Sequence, residues 1–274
     1  MTDCVIVNSA PDPAAAAGCD TDHDRNCGQP LVQPASFRIV GGHPATYGAW
    51  PWTVILTEQD FATCGGAIIH NRVILTAAHC FEDQVSRDVS RWQVVAGKYH
   101  LLKQDRGEKT FNVMANDVAL LLLRESISYT SFIKPICLPS PDITPSVGQG
   151  CLLAGWGDTH GTGTQEVMNQ VTLPVISDDV CSRPDWYGHE FLRQTTFCAG
   201  YEQGGRDACT GDSGGPLVCK FDDRWYVSGI ASWGYGCAEI KWPGIYTNVT
   251  YYLPWIKQRL LEFQIQVPCH VLVG

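Results

Sequence analysis

Asp207-Ala-Cys-Thr-Gly-Asp-Ser-Gly-Gly-Pro216 is the stretch on which the reading of this chain turns. Its ten residues hold one serine among three glycines, two aspartates and a cysteine. The centre, Gly211-Asp212-Ser213-Gly214-Gly215, has the form G-x-S-x-G. Glycines on both sides of a serine allow a tight turn that exposes the hydroxyl. They also let backbone N–H groups converge beside it, as an oxyanion hole requires. A surface turn rich in Ser, Gly and Asp has the same composition. The catalytic reading therefore depends on a base, an orienting acid and a substrate pocket being found elsewhere in the chain.

With 274 residues the chain can bury a sizeable core, in one large or two small domains. Charged residues make up only 17% against 45% hydrophobic, so most of the chain is expected to fold. The net charge of −9, without a basic cluster, argues against nucleic acid or an anionic membrane as main partner. No apolar run is long enough to span a bilayer. Thirteen cysteines point to an oxidising compartment and a disulfide framework, hence to a secreted or extracellular protein. No C-x(2–4)-C pair occurs, which weakens a zinc reading, and the odd count leaves at least one cysteine free or paired with another chain. Met1-Thr-Asp-Cys-Val-Ile-Val-Asn8 has no basic n-region and only a short apolar run, so no signal peptide is visible in it.

Residues 1–38, rich in Pro, Ala, Asp and Gly, read as a flexible arm, largely disordered, or as the edge of an upstream domain. Phe37-Arg38-Ile39-Val40-Gly41-Gly42 ends it with a basic residue ahead of an apolar one, a suitable site for tryptic cleavage. Beyond Trp50 the chain is β-rich. Trp52–Leu56, Ala67–Ile69, Val73–Thr76, Trp92–Ala96, Val118–Leu123 and Cys151–Trp156 are short apolar runs between turn residues. Val171–Ile176, Pro216–Cys219, Tyr226–Ser232 and Ile245–Val249 continue the pattern, which suggests barrels or sandwiches. The clearest helix is expected over Tyr252–Glu262, with Pro254 in its first turn.

His79, in Thr76-Ala-Ala-His-Cys80, follows an apolar strand; a lone histidine there is more often structural than catalytic. Asp117, in Asn116-Asp-Val-Ala-Leu-Leu121, stands at the mouth of another; it is a partner for a histidine N–H or a plain strand-start residue. Order separates two serine-hydrolase plans. In the α/β-hydrolase plan the serine precedes acid and histidine and is followed by a helix. Here a strand-like run, Pro216-Leu-Val-Cys219, follows Ser213, and the only later histidine is His270 in the tail. The order His79, Asp117, Ser213 fits the other plan.

The chain resembles the chymotrypsin/trypsin family of serine proteases. The matching pieces are Arg38-Ile-Val-Gly-Gly42, Leu75-Thr-Ala-Ala-His-Cys80, Asn116-Asp-Val-Ala-Leu-Leu121 and Ala154-Gly-Trp-Gly157. Phe197-Cys-Ala-Gly-Tyr201, Gly211-Asp-Ser-Gly-Gly-Pro216, Ser232-Trp-Gly234 and Pro243-Gly-Ile-Tyr246 follow in order. The resemblance implies an all-β fold of two packed six-stranded antiparallel β-barrels with a C-terminal helix. It implies an N-terminal pro-segment at 1–38, a protease domain at 39–260 and a C-terminal extension at 261–274.

By the same resemblance, Ser213 is the nucleophile, His79 the general base and Asp117 its orienting acid, with the N–H groups of Gly211 and Ser213 as the oxyanion hole. Asp207 is the acid at the base of the specificity pocket, Gly234 and Gly244 match its walls, and Ala208, Ser232 and Trp233 belong to the substrate site. Cleavage after Arg or Lys is implied, with Arg preferred because Ala208 lacks a hydroxyl that some relatives place beside the acid. Cleavage after Arg38 would free the Ile39 amine to bury itself against Asp212. Implied partners are Arg- or Lys-containing protein substrates, an activating protease and inhibitors of the serpin or Kunitz type, with no cofactor. The implied disulfides are Cys27–Cys137, Cys64–Cys80, Cys151–Cys219, Cys181–Cys198 and Cys209–Cys237, leaving Cys4, Cys19 and Cys269 unassigned. Asn248-Val-Thr250 is a glycosylation sequon.

Three features depart from the family. Between Phe111-Asn-Val113 and Asn116-Asp117 only Met114 and Ala115 stand where about a dozen more residues are usual, against ordinary loop lengths. An incomplete N-terminal barrel and a misplaced Asp117 are the expected risks. Lys98 stands where some relatives carry the first of two calcium-binding glutamates; a Lys98–Glu108 ion pair could replace the metal, so no calcium is expected there. The tail 261–274 goes beyond the usual terminal helix. The alternatives to an active protease are a catalytically impaired binding or regulatory module on the same fold, and a misfolding product.

Overall fold

The computed structural model describes residues 20, 25–34, 42–81, 88, 91–102, 109–114, 120–159 and 166–272. Thirteen strands are described: β1 (His43–Pro44), β2 (Thr53–Glu58), β3 (Phe61–His70), β4 (Val73–Leu75), β5 (Trp92–Ala96), β6 (Lys109–Met114), β7 (Leu120–Leu123), β8 (Gly150–Gly155), β9 (Asn169–Ile176), β10 (Thr196–Ala199), β11 (Pro216–Phe221), β12 (Arg224–Trp233) and β13 (Gly244–Asn248). Three helices accompany them: α1 (Asp178–Cys181), α2 (Val249–Glu262) and α3 (Cys269–Leu272).

The N-terminal half closes on itself in the order β2-β3-β4-β7-β6-β5. Closure corrects the expectation of an incomplete N-terminal barrel. β6 pairs with β5 along Gln93↔Asn112 to Ala96↔Lys109, and with β7 at Val113↔Leu123 and Met114↔Leu122. Antiparallel neighbours need only a few connecting residues, so a short link between β6 and β7 still leaves both ladders in place. The interior is filled by Val54, Leu56, Ile68, Ile74, Leu75, Trp92, Val94, Leu120 and Leu123, all essentially without solvent exposure. At the β2–β3 hairpin, Gln59 and Asp60 both take positive φ (48° and 70°). Two such residues are what a tight two-residue turn with the right strand twist requires.

The second sheet runs β1-β9-β10-β13-β12-β11-β8, and β8 also pairs with β9, so the sheet curls back on itself. The strand readings from sequence correspond to strands in both halves; β1, β6 and β10 were missed, being short or poor in apolar alternation. The two halves share one apolar cluster. Trp50 helps to join them: its Nε1–H donates to Gln170 Oε1 at 2.7 Å, and its ring meets Trp225 edge-on at 5.1 Å.

Helix α2 starts three residues earlier than expected. Asn248 caps it, its side-chain oxygen accepting from the Tyr251 N–H, so the first turn forms ahead of Tyr252. Pro254 therefore lies inside the helix rather than in its first turn. Val249, Leu253, Ile256 and Leu260 give α2 one buried face. The tail packs on the domain, with Ile265, Val267 and Val271 buried in the shared cluster. Five disulfides join Cys27–Cys137, Cys64–Cys80, Cys151–Cys219, Cys181–Cys198 and Cys209–Cys237, the pairs the resemblance implies.

Candidate active site

Ser213 sits in the turn that leads into β11. Gly211 and Gly214 flank it at φ +97° and +79°, conformations that L side chains rarely adopt. Within the turn the Asp212 N–H donates to Cys209 O and the Gly215 N–H to Asp212 O, both at 2.9 Å. The N–H groups of Gly211 and Ser213 donate to nothing among the described residues. Both of these backbone donors of the serine turn thus remain unpaired among the described residues.

Close backbone approach seats this turn on the N-terminal barrel. The Gly65 N–H donates to Ser213 O at 2.8 Å, and Thr76 Oγ1 donates to Gly65 O at 2.7 Å. A Cβ on Gly214 would lie 2.2 Å from Thr76 Oγ1 and 3.0 Å from Ala77 N, so only glycine fits there. His79 follows two residues later, half-buried in the 3-10 turn Ala78–Phe81. The Cys64–Cys80 disulfide pins that turn next to Gly65. The serine turn and the histidine turn therefore meet at Cys64-Gly65, in the middle of β3.

Asp117 lies outside the described residues, as do Arg38, Ile39 and Glu108. Leu120, three residues after Asp117, pairs with Leu75, four residues before His79. Cys64, His79 and Cys80 bring potential metal-binding atoms within 4.8 Å of one another. The two sulfurs are bonded to each other, so the thiolates a metal would need are absent from this group.

A cavity of about 250 Å³ holds Ser213 and Asp207 together, with Ser232, Trp233, Gly234 and Gly244 in its lining. Three backbone N–H groups converge on Asp207: Ala208 and Gly244 on Oδ1 at 2.8 and 3.1 Å, and Ala238 on Oδ2 at 3.2 Å. A Cβ on Gly244 would meet Asp207 Oδ1 at 2.7 Å, so glycine is required for this contact. One on Gly234 would meet nothing closer than 3.6 Å, so there glycine simply leaves the mouth wide. No cationic side chain of the described residues faces Asp207. Burial pushes its carboxyl up to about 7, against the three N–H donors that favour the charged form, and the nearby Asp212 adds to the rise. Asp207 is half-buried and lines the cavity, so a ligand cation can approach it there.

Asp212 turns the other way. It accepts the Gly157 N–H on Oδ1 at 2.9 Å and the Cys209 N–H on Oδ2 at 3.1 Å. Gly155 and Gly157 are both so close that a Cβ would fall 2.2 to 2.4 Å from carboxyl atoms of Asp212. Burial pushes this carboxyl up to about 6. It lines a second, smaller cavity of about 90 Å³, together with Gly42. Gly42 is followed by β1, whose His43 and Pro44 pair with Gln170 and Asn169.

Three contributors were not singled out from the sequence. Ala238, with a strained φ of +58°, supplies a donor to Asp207 from 31 residues away. The Cys209–Cys237 disulfide, which places Ala238 beside this loop, is the signal that could have found it. Tyr246 is fully buried in the cavity wall, its hydroxyl without a hydrogen-bond partner, and burial raises its pKa well above the usual range. Tyr187 backs the Gly234 edge and donates to Pro243 O at 2.5 Å. Asn248, the sequon residue, is half-buried at the helix cap, and Thr250 Oγ1 is buried without a partner.

The sequence model of the Trypsin family matches residues 39–256. That span is most of the chain and contains both sheets and both cavities, and the chain belongs to the trypsin family of serine proteases. No helix among the described residues is long and apolar enough to cross a membrane.

Proposed function

We propose that this protein is a secreted serine endopeptidase that hydrolyses peptide bonds after Arg, and less readily after Lys. We also propose that it is made as a zymogen and activated by cleavage between Arg38 and Ile39. The observation that carries the specificity is the shared cavity of Ser213 and Asp207, with a carboxylate that has three N–H donors and no cationic partner among the described residues. A guanidinium matches that charge and accepts bidentate pairing. The open edge of β12 at Ser232–Trp233, beyond its last β11 partner Ile230, offers a strand to which an extended substrate can pair.

The chemistry is the family's and is carried onto these residues. Ser213 Oγ attacks the scissile carbonyl while His79 takes its proton, and His79 then returns that proton to the leaving amine. Asp117 orients the imidazole and stabilises its charged form. The free N–H groups of Gly211 and Ser213 hold the oxyanion. Water then repeats the sequence on the acyl-enzyme and frees the acid product.

Activation follows from the second cavity. Gly42 is three residues beyond Ile39, a span of at most about 11 Å of chain. A new Ile39 amine therefore has Asp212 within reach and would neutralise a buried carboxylate directly beside the oxyanion turn. The domain division 1–38, 39–260 and 261–274, an activating protease, serpin or Kunitz-type inhibitors, and glycosylation at Asn248 belong to the same proposal. The five disulfides support secretion.

The test is to fold the chain oxidatively, cleave it after Arg38, and assay an Arg-anilide with and without Ser213→Ala. Hydrolysis that the substitution abolishes supports the proposal. A folded product that binds Arg peptides without cleaving them overturns it in favour of an impaired binding module.

A further inference from the structure

A third cavity, of about 930 Å³, has Tyr187, Tyr235, Trp242 and Glu190 in its lining. Trp233 connects it to the cavity of Ser213 and Asp207, which Trp233 itself lines. The Trp233 ring meets Tyr187 edge-on at 5.1 Å and Tyr235 edge-on at 6.0 Å. Tyr235 stacks on Tyr187 at 5.8 Å and meets Trp242 edge-on at 4.9 Å. Trp233 and Tyr235 are 39% and 47% exposed, so two large rings of this cluster stand in solvent where a ligand can cover them.

The charge beside these rings is negative. The Tyr235 hydroxyl donates to Glu190 Oε2, and that bond raises the Tyr235 pKa, so the hydroxyl keeps its proton. The Glu190 carboxylate retains most of its acceptor capacity. The neighbouring cations are engaged elsewhere. Arg193, in the same lining, pairs with Asp179 at 2.8 Å and donates to Ser182 Oγ at 2.5 Å. Lys241, next to Trp242, pairs with Asp185 at 2.5 Å. Among the described residues Glu190 has no cationic partner. A carboxylate and aromatic rings attract a ligand of the same sign, a cation, the first by its charge and the second by the ring quadrupole.

The backbone leads a substrate to this place. The Ala231 N–H donates to Gly215 O, and Ala231 O accepts the Gly214 N–H, so here β12 is bonded to the serine turn. Beyond Ala231 the same edge of β12 runs on through Trp233 without a β11 partner. A substrate strand on that edge, with its cleaved residue in the Ser213 cavity, passes Trp233 and Gly234 toward Tyr235. Strand residues advance about 3.3 Å each, so the residue roughly two or three places ahead of the cleaved one comes level with Tyr235.

We infer that Glu190, Tyr235 and Trp233 form a subsite for a second basic side chain of the substrate, about two or three residues ahead of the cleaved Arg or Lys. The substrate class narrows to segments carrying two basic residues at that separation. The chain's net charge of −9 favours the approach of such segments. The inference rests on the proposed endopeptidase reading and deepens it; the subsite binds and takes no part in making or breaking bonds.

The full chain, folded oxidatively and cleaved after Arg38, is assayed on acetyl-capped peptide anilides. Arg-Ala-Ala-Arg and Ala-Arg-Ala-Arg place the second Arg three and two residues ahead; Ala-Ala-Ala-Arg, Glu-Ala-Ala-Arg and Phe-Ala-Ala-Arg are the references. At least one doubly basic substrate should exceed the Ala reference in kcat/KM by about 3- to 30-fold, mostly through KM, and the Glu substrate should fall below it. Equal values for Arg and Ala at both positions overturn the inference. So does a preference for Phe over Arg, which would make the cavity an apolar subsite. Glu190→Gln should lower the Arg-to-Ala ratio, and Glu190→Lys should bring it below one. A ratio unmoved by both substitutions overturns the inference. If the variants do not fold, the substrate series on the unsubstituted protein decides alone. Calorimetry of the same peptides as free acids on the cleaved Ser213→Ala protein reports the ratio as Kd, without turnover. Binding at the expected ratio with no hydrolysis by the unsubstituted protein overturns the endopeptidase reading and supports the subsite. Hydrolysis without the preference supports that reading and overturns the subsite.

Discussion

Gly65 on β3 donates its N–H to the carbonyl of Ser213 at 2.8 Å, so the proposed nucleophile of one sheet is seated on a strand of the other. The seat tolerates no side chain. A Cβ on Gly65 would lie 2.9 Å from Gly215 Cα and 3.1 Å from its nitrogen, and these are backbone atoms that cannot rotate away.

Gly65→Ala is therefore expected to push the serine turn off its seat. Displacements of the order of 1 Å at a reacting group cost about 10²-fold in rate, and overpacking of this kind costs about 1–3 kcal/mol of stability. Kinetics on an Arg-anilide and thermal unfolding measure the two effects. A variant with unchanged kcat/KM would show that this contact does not position Ser213.

Asp207→Ser should remove the proposed preference for Arg and Lys. Truncating one partner of a buried charge pair costs about 2–5 kcal/mol, so kcat/KM for an Arg substrate should fall by roughly 10²–10³-fold. Hydrolysis of substrates with a small apolar residue at the cleaved position should change far less. Equal losses on both substrates would place Asp207 outside the specificity determinants.

The raised carboxyl of Asp207 makes cation binding pH-dependent. Below about pH 7 the empty pocket holds a proton, which an amidinium ligand must displace. Benzamidine affinity for the cleaved Ser213→Ala protein should be flat above that pH and fall about tenfold per unit below it. The sign for folding is the reverse. The native empty pocket keeps a proton that the unfolded chain releases at lower pH, so this group's contribution to stability falls as pH rises from 3.8 to about 7. Asp207→Asn should flatten that part of the Tm–pH curve. A benzamidine titration independent of pH between 5 and 8 would refute the assignment.

The tail is predicted to be structural. Ile265 is buried in the shared cluster at 6% exposure, and Ile265→Ala should cost about 2–4 kcal/mol. Denaturant unfolding measures it, and a cost below the error of the measurement would mean the tail packs only loosely.

Much of the fold was legible because β-strand burial has a local signature. Val73-Ile-Leu75 and Leu120-Leu-Leu-Leu123 are apolar on both sides of the pleat, and they pair as β4 and β7. Helix α2 was placed three residues late because its start is set by the Asn248 cap rather than by the apolar periodicity that begins inside it. The closure of the N-terminal barrel was not legible. A missing stretch of sequence suggests a missing strand, whereas closure depends on whether β6 can reach β5 and β7 at once, which it does.

The sequence by itself determined the order of His79, Asp117 and Ser213, the glycines that admit a serine turn, the acid at Asp207 and the five cysteine pairs implied by the resemblance. Each rests on residue identity at short spacing, where covalent geometry limits the chain to a few conformations. Only the tertiary structure decided what surrounds those residues. The donors to Asp207 from Ala238 and Gly244 come from 31 and 37 positions away. Asp212 is held by Gly157 from 55 positions away. Asp20 meets Pro268 across nearly the whole chain. Such contacts follow from packing two sheets and a tail into one core, and the free energy of that packing is summed over the whole molecule rather than written in any one segment.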